Sequence, residues 1–565
     1  MSLFSVMNVA NKALFASQIG MHVAGQNIAN VDVPGYSRKR VDLAAGYHRD
    51  GRFGQIGFGV EVLGIARIRN EYIDAQIRRQ SHELGKNAAI SQALESAENI
   101  LIEPGDTGIL EYLNKFFDSW EFLADNPSDR SARTAVRDSG SMLVDVFHNV
   151  SSELEKLKIA KNDEIVSLVG RVNDIAAELF NLNGEISIAT LGGNGAYSAA
   201  DSKDRRDFLM RELSEIVDFD YYFDQSGQLT LSVCGNILVS PVSINKLEIF
   251  DDTRVDEDHS YGYHRYGVRM EKGKNQIFPQ SGELKGLMIA RDELIPKYEA
   301  KLNELAEGFV KKINDIHTSG YNLYENSGLT FFDPTCLTAK TIKLSSSIVN
   351  DVSNIAAAKG GSFTQAAKNT ITFTAAGDGI QLFKDPPFNT ERATNISRGK
   401  DDVTIKTTGG VILTEGEDYR VDYLTGTIEL LSTGSAYIGL GLEVSFAYNT
   451  SGFPGPGNNE NAIAMGAVRG ELTMGASASF RGNTATFGQF YGSIVSELGL
   501  DRSGALADIR TREFLIEQYD THQDSIAGVS IDEEMASLIM YNYTYQAAAR
   551  IFTTAQAMLD TLMNI

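Results

Sequence analysis

The sequence predicts an α+β multidomain protein, with a long helical coiled-coil or bundle base formed by both ends of the chain and antiparallel β domains inserted between them. Three observations predict it. Both termini carry seven-residue apolar repeats almost free of charge, and two internal stretches alternate polar and apolar residues with period 2. The helical stretches between them are long, with no proline from Pro127 to Pro241 to interrupt them.

The ends come first. The chain has 565 residues, is 22% charged and carries a net charge of −23. Yet from Met1 to Val31 the only ionised side chain is Lys12, and from Met535 to Ile565 there are only Arg550 and Asp560. Met7, Leu14, Met21 and Ile28 fall seven apart, flanked by Leu3, Ala10 and Ala24, and Leu538, Tyr545, Phe552 and Leu559 repeat the spacing after Met535. A period near 3.5 keeps one seam facing a partner helix, so the simplest packing pairs the first helix with the last. An exposed two-helix hairpin carries charge on its outer positions; here those positions are Ser, Asn, Gln, Ala and Tyr, so the outer faces are expected to meet other subunits.

Neither end is a membrane span, because Asn8, Asn11, Gln18 and Asn27, or Asn542, Thr544 and Gln546, interrupt the apolar character. Neither is a secretory signal, since no continuous apolar block follows a basic start. Gly20 and Gly25 each cost about 1 kcal/mol in a helix interior, and the Tyr541, Tyr543, Tyr545 cluster restricts rotamers. Both ends are therefore expected to be largely disordered in the free monomer and to order on assembly.

The first helix stops at Asn30-Val31-Asp32-Val33-Pro34-Gly35-Tyr36, where Pro34 disfavours helix at Val33 and Pro-Gly turns the chain. Tyr36 to Ile68 reads as an extended, glycine-punctuated hairpin, with Arg38-Lys39-Arg40 as a short basic run on a solvated strand. Helical periodicity returns from Asn70 to Leu123 and from Arg133 to Ile188, where a register slip at Lys161-Asn162-Asp163-Glu164 predicts a kink or break. A further helix covers Glu293 to His317. Between these lie the β modules: Phe219 to Pro279, with Gln228–Val233 as its clearest strand after the Ser226-Gly227 turn, and Ser362 to Asn449. In the second, Tyr419, Val421 and Tyr423 alternate with polar residues, Leu424-Thr425-Gly426 turns, and Thr427–Leu430 returns. The stretch Gly452 to Asn461 is the exit linker. Helix resumes over Ala485 to Ile526, and the last helix opens at Ser530 with Glu533 three residues on, a capping box.

The expected organisation is nested: 1–36 and 530–565 as terminal helices forming an inner assembly domain; 37–218, 285–361 and 458–529 as a mainly helical base; 219–284 as a β-rich domain; and 362–457 as an inserted β domain. The acidic balance argues against nucleic acid or anionic membrane as partner. Cys234 and Cys336 form no disulfide framework. The eight histidines, His22, His48, His148, His259 and His264 among them, lack the helical pairing of a zinc hydrolase, and no phosphate loop or nucleophile elbow is present. The acidic run Asp251, Asp252, Asp256, Glu257 and Asp258 lacks the alternating ligand spacing of a calcium loop. No catalytic, cofactor-binding or metal site is expected, and the chain is read as no enzyme.

The residues Asn27-Ile28-Ala29-Asn30-Val31-Asp32-Val33-Pro34-Gly35-Tyr36-Ser37-Arg38 resemble the signature that closes the first helix in the bacterial flagellar axial proteins, although Asp32-Val33 replaces the usual Asn-Thr. Ser37-Arg38-Lys39-Arg40-Val41 looks like the junction branch of that family rather than its hook or distal-rod members. Gly528-Val529-Ser530-Ile531-Asp532-Glu533-Glu534-Met535, Tyr545-Gln546-Ala547-Ala548-Ala549-Arg550 and Leu559-Asp560-Thr561-Leu562 are similar to the end of the junction branch, and weaker echoes occur at Ile355-Ala356-Ala357 and Asn458-Asn459-Glu460-Asn461-Ala462. The resemblance implies an extracellular structural component of the flagellum, exported through the flagellar channel without a cleaved signal peptide. It would assemble in a ring of like subunits, with hook protein, a second junction protein, filament protein and an export chaperone as partners. The residues expected to form the assembly interface are Leu3, Met7, Leu14, Met21, Ile28, Asn30, Pro34, Gly35, Tyr36, Met535, Leu538, Tyr545, Phe552 and Leu559. The competing expectations are another axial protein of the hook or distal rod, or an axial scaffold carrying an enzymatic or adhesive β domain.

Overall fold

The computed structural model describes residues 3–563 except 47, 52–53, 102–107, 191–198, 253–264, 272, 274–275, 325, 360–364, 384–395, 397–402, 423–425, 432, 449–456 and 476–482. The Leu424-Thr425 turn, the first half of the exit linker (452–456), His259, His264 and the acids Asp256 to Asp258 lie outside the described residues. The helices are α1 (Leu3–Ala29), α2 (Glu71–Leu101), α3 (Ile109–Asp125), α4 (Arg130–Ala189), α5 (Ala200–Ile216), α6 (Glu283–Ile289), α7 (Ile295–Ser319), α8 (Ser346–Asn350), α9 (Glu460–Ala467), α10 (Phe487–Ala527) and α11 (Ile531–Met563). The chain forms two compact units, one of Met1–Glu95, Lys158–Leu294 and Leu500–Ile565, the other of Ser96–Leu157 and Ile295–Gly499.

In the first unit α1 pairs with α11, as the matched seven-residue repeats predict. The expected hairpin forms between Lys39–Ala45 and Val60–Arg67, antiparallel with a bulge at Asp42/Leu43, and His48–Gly51 pairs with Gly54–Gly57. The first β module is a three-stranded antiparallel sheet of Asp220–Phe223, Leu229–Val233 and Asn236–Val239 beside a two-stranded one of Leu247–Asp251 and Tyr266–Met270. Gly227, at φ +76°, supplies the left-handed turn before Leu229. Val172 and Leu179 of α4, Leu213 of α5, Leu231 and Val268 of the sheets, and Leu284 of α6 share one core.

Of the kink or break predicted in the long helix, the break is absent: α4 is continuous over 60 residues. Its polar run is a docking point instead. Asn162, buried, accepts from the Tyr266 amide at 3.0 Å and from Arg291 Nη1 at 2.7 Å, and the buried stem of Lys161 sends its ammonium to Glu164 at 2.8 Å. Polar residues at a register slip read as a helix interruption from sequence, because a buried polar partner from a distant strand is invisible there.

The second unit is built on an aromatic core. Phe116 and Trp120 of α3, Phe309 of α7, and Phe331 and Phe332 stack edge-on or tilted with centroids 5.0–6.3 Å apart. The β insert has its own core beneath two antiparallel sheets. Gln365–Thr372, Gly441–Tyr448, Val403–Thr407 and Ile412–Leu413 form one; Gly379–Gln381, Thr427–Leu430 and Tyr419–Asp422 form the other. The period-2 pattern is realised: Tyr419 and Val421 are buried opposite Leu430 and Ile428, while Arg420 and Asp422 are exposed.

The stem of that insert is sewn to α3, α4 and α7. His317 Nδ1 donates to the Leu329 carbonyl at 2.6 Å while Nε2 accepts from the Ala356 amide at 3.0 Å. Arg133 donates to the carbonyls of Ile355 and Pro127. At the start of α9, where the chain returns, the Asn461 and Ala462 amides bond to the Ala357 carbonyl, Asn461 Nδ2 to the Ala356 carbonyl at 2.7 Å, and Asn459 Nδ2 to the Ala124 carbonyl at 2.6 Å. Gly320 leaves room for this: a Cβ there would lie 2.2 Å from Asn461 Nδ2.

Candidate assembly site: the terminal hairpin and its neck

Helices α1 and α11 run antiparallel, with Asn27 hydrogen-bonded to Glu534 at 3.0 Å and Gly20 beneath the ring of Tyr541. The residues α1 buries are small: Ala10, Ala16, Ser17, Gly20, Val23, Ala24 and Asn27. Ala10, Ser17 and Ala24 are themselves seven apart, as are Ala13, Gly20 and Asn27. Small residues let two helix backbones approach closely, and Gly20 is the tightest point, since a Cβ there would meet the Tyr541 ring at 2.6 Å.

On α11 the inward stripe is Leu538, Tyr545, Phe552 and Leu559, each half-buried, with Tyr541 half-buried and Glu534, Ala548 and Ala555 buried beside them. Leu3, Met7, Leu14, Met21 and Ile28, the large residues of the first repeat, are only half-buried, flanking the small-residue seam, and Met535 is exposed. Outside the seam the hairpin stays open to solvent. Phe4 is 71% exposed, Tyr543 69% and Met558 55%, with Phe15, Met540, Ile551 and Leu562 also exposed. Met540, Ala547, Ile551, Met558 and Leu562 recur at helical spacing on one outer stripe of α11, an apolar patch of the kind that marks an interaction surface.

The neck is polar. Asn27, fully buried at the end of α1, spends every bond: Nδ2 donates to Glu534 and to the Lys39 carbonyl at 2.9 Å, while Oδ1 accepts from the Lys39 amide at 3.0 Å and the Tyr36 hydroxyl at 2.8 Å. Glu534, also buried, receives Arg38 Nε at 2.8 Å, and Glu533 receives Arg38 Nη1 at 2.9 Å. The Ser530 hydroxyl caps the Glu533 amide at 3.4 Å, but the Glu533 carboxylate goes to Arg38, so the other half of the expected capping box is given over to the neck.

Arg38-Lys39-Arg40 is thus not a solvated run. Arg38 closes on α11, Lys39 is buried over the Tyr36 ring with its ammonium on Asp201, and only Arg40 is exposed. Asn30, half-buried, donates from Nδ2 to the Gln26 carbonyl at 2.9 Å, finishing α1. Pro34 and Gly35 are exposed, and Gly35 holds φ +81° with the Phe208 ring 3.0 Å from where a Cβ would stand. Burial, reinforced by Asp204, Asp201 and Glu534, pushes the Tyr36 hydroxyl up to about 12, so it remains a donor to Asn27.

Behind the neck, Arg67 bridges Asp204 at 2.8 Å and Asp207 at 3.0 Å, and Arg69 grips Asp74 and the Ser37 hydroxyl. Three nearby cations hold the Asp207 carboxyl below its ordinary range despite its burial. The sequence reading missed Asn27, Glu534 and this network. Its available signals were an amide at the last turn of an uncharged helix and the 3–4 spacing of small residues through Ala10, Ala13, Ser17, Gly20, Ala24 and Asn27. Among the described residues no cluster could hold a metal ion, and no helix is long and apolar enough to cross a membrane.

The nearly uncharged antiparallel pair made from the two ends of the chain, tied by a polar neck to its helical base, lies in a chain that is similar to the axial proteins of the flagellum. The family described as the flagellar hook-associated protein FlgK helical domain matches residues 94–332, and that described as the flagellar basal body rod FlgEFG protein C-terminal matches residues 524–565. Flagellar hook-associated protein 1 of Salmonella typhimurium is 27% identical over 577 residues, spanning 99% of this chain and 100% of that protein. Its namesake from Bacillus subtilis is 24% identical over 602 residues, spanning 100% and 98%. The flagellar hook junction protein FlgK from Burkholderia pseudomallei shares the fold at a TM-score of 0.55 and 14% identity, covering 80% of this chain and 100% of that one. Along its whole length the chain is similar to the flagellar hook-associated protein 1 family.

Proposed function

We propose that this chain is a structural subunit joining hook to filament in the bacterial flagellum, assembling as a ring of like subunits through the terminal hairpin. The observation that carries the proposal is the state of that hairpin. Its inner seam is filled by small residues, its outer faces are apolar or amide-bearing, and α11 buries only Glu534, Ala548 and Ala555. Such a pair gains little from its own chain and much from neighbours.

In this reading the helices are largely disordered in the monomer and order when copies enclose them. Leu3, Met7, Leu14, Met21, Ile28, Met535, Leu538, Tyr545, Phe552 and Leu559 then form the packed layer, with Asn30, Pro34, Gly35 and Tyr36 setting the angle of the neck. Hook protein lies on one side, and a second junction protein and filament protein on the other. The chain reaches its place outside the cell through the flagellar channel, without a cleaved signal and escorted by an export chaperone, and it performs no catalysis. Similarity running the whole length of hook-associated relatives favours the junction over a hook or rod position.

Labelling the chain in intact cells tests the position: a focus at the distal tip of each hook is expected, and label along the whole hook overturns it. Chains lacking residues 1–30 or 536–565 test the mechanism: they should stay folded and soluble yet build no junction, and a truncated chain that still builds junctions overturns it.

A further inference from the structure

Four arginines are buried among the described residues: Arg78, Arg133, Arg206 and Arg291. Three face strong acceptors. Arg206 has the Asp207 carboxylate and the Gly227 carbonyl, Arg291 has Asp292, the Asn162 side chain and the Tyr266 carbonyl, and Arg133 has the carbonyls of Ile355 and Pro127. Arg78, on α2 and 6% exposed, has one neutral phenol: Nη2 donates to the Tyr221 hydroxyl, and the guanidinium lies 4.6 Å from the centroid of that ring. Its Nε has no partner, and among the described residues no carboxylate pairs with it.

A guanidinium withdrawn from water without a counter-charge is costly and asks for an anion. No acid of its own unit pairs with it among the described residues: the buried ones nearby, Asp74 and Asp207, are held by other arginines, and Asp220, at the rim of the second cleft, is exposed to solvent. Arg78 lines two clefts, of about 570 and 610 Å³. In the first, Asp74 is held by Arg69, Asp207 by Arg67 and Arg206, and Asp520 by Arg211 at 2.7 Å. In the second, Asp218 accepts from the amides of Gln280 at 3.0 Å and Ser281 at 3.3 Å, leaving Arg78 and Arg79 beside Tyr221 and the exposed ring of Phe278. We infer that Arg78 receives a carboxylate brought by a second copy of this chain, entering the cleft between Arg79 and Phe278.

The occupant follows from charge. The chain has 74 acidic against 51 basic residues, so a neighbouring copy presents carboxylates in excess. A guanidinium fork takes a carboxylate through two parallel bonds, for which Arg78 holds the unspent donors. The inference rests on the proposed ring of like subunits, and it adds a contact on α2, outside the terminal hairpin.

The test pairs two measurements on the full chain. Arg78→Met should melt at or above the wild-type temperature as free protein, because it removes an uncompensated charge, while cells carrying it should build junctions at least tenfold less often; Arg78→Lys should recover part of that loss. A junction count equal to wild type, or a clear fall in the free protein's melting temperature, overturns the inference. A photo-crosslinking residue at Phe278 in intact cells should give an adduct of twice the chain mass whose partner peptide carries Asp or Glu. An adduct with any other protein, or none, overturns it. If the unmodified chain does not reach the hook tip, the proposed function has failed instead.

Discussion

At the stem of the β insert, His317, Arg133, Gly320 and Asn461 bring together segments far apart in sequence, and every one of those residues is buried. At the neck of the terminal hairpin, Asn27 and Glu534 are as deeply buried, but everything beyond them on α11 except Ala548 and Ala555 stays at least partly exposed. Both regions tie distant parts of the chain with side-chain amides and main-chain bonds. They differ in what lies behind the tie: an aromatic core in one case, a two-helix pair open on its outer faces in the other. A polar clamp backed by a core makes a joint complete within the monomer. The same chemistry at the base of an unbacked hairpin fixes one end and leaves the rest for a neighbour to cover.

The comparison breaks most sharply under substitution in the seam. Phe552→Asp places a charge in the inner stripe of α11 and should abolish assembly while leaving the free protein's melting temperature nearly unchanged. A large fall in that temperature would mean the pair is already a stable part of the monomer. The two close-approach glycines are the next contrast. Gly320→Val drives a side chain into Asn461 and should cost about 3–5 kcal/mol of stability by chemical denaturation. Gly20→Val meets only the Tyr541 ring on an open helix, so it should cost about 1 kcal/mol or less in the monomer and still impair assembly. Equal costs at the two sites would erase the distinction.

Acid sharpens it further. Burial, with Arg133 nearby, lowers the His317 imidazole to about 4, and its Nε2 accepts from the Ala356 amide, a bond that a second ring proton would remove. Its neutral form is favoured in the fold, so the stability it supports is whole above the ordinary histidine range and is lost as pH falls from about 6.5 through 4. The loss is roughly 3 kcal/mol. Urea midpoints between pH 7 and 4 should drop accordingly, and a flat profile removes His317 as the cause. The smallest effect is alkaline. The Tyr36 pKa is raised from 10.0 to about 12, so its hydroxyl contribution is intact below pH 10 and is lost as pH rises from 10 to 12. Discounted for its partial exposure, this amounts to about 1 kcal/mol. Tyr36→Phe should flatten that part of the profile.

Much of this architecture was readable from residue order. The paired ends followed from Leu538, Tyr545, Phe552 and Leu559, and the strands at Leu229–Val233 and Thr427–Leu430 followed from alternation and a glycine turn. Which face of α1 turns inward was not. Hydrophobicity singles out Met7, Leu14, Met21 and Ile28, whereas close helix approach selects Ala10, Ser17, Gly20 and Ala24, and size is a weaker signal than polarity. Lys161 and Asn162 misled for a related reason: a polar pair in a helix looks like a break unless the strand it binds is known. The echo at Ile355-Ala356-Ala357 and Asn458–Ala462 stood out as a pattern, but its meaning as a stem needed His317 and Arg133, more than 35 residues away in one case and more than 200 in the other.

The bond between Asn27 and Glu534 spans 507 positions of sequence. A polypeptide emerging one residue at a time, from a ribosome or a narrow conduit, holds its opening helix without a mate until nearly the last residue has appeared. Throughout that interval Phe4, Met7, Phe15 and Met21 have only solvent or a guardian to cover them. Closure of the pair therefore waits on the emergence of α11, more than 500 residues behind α1.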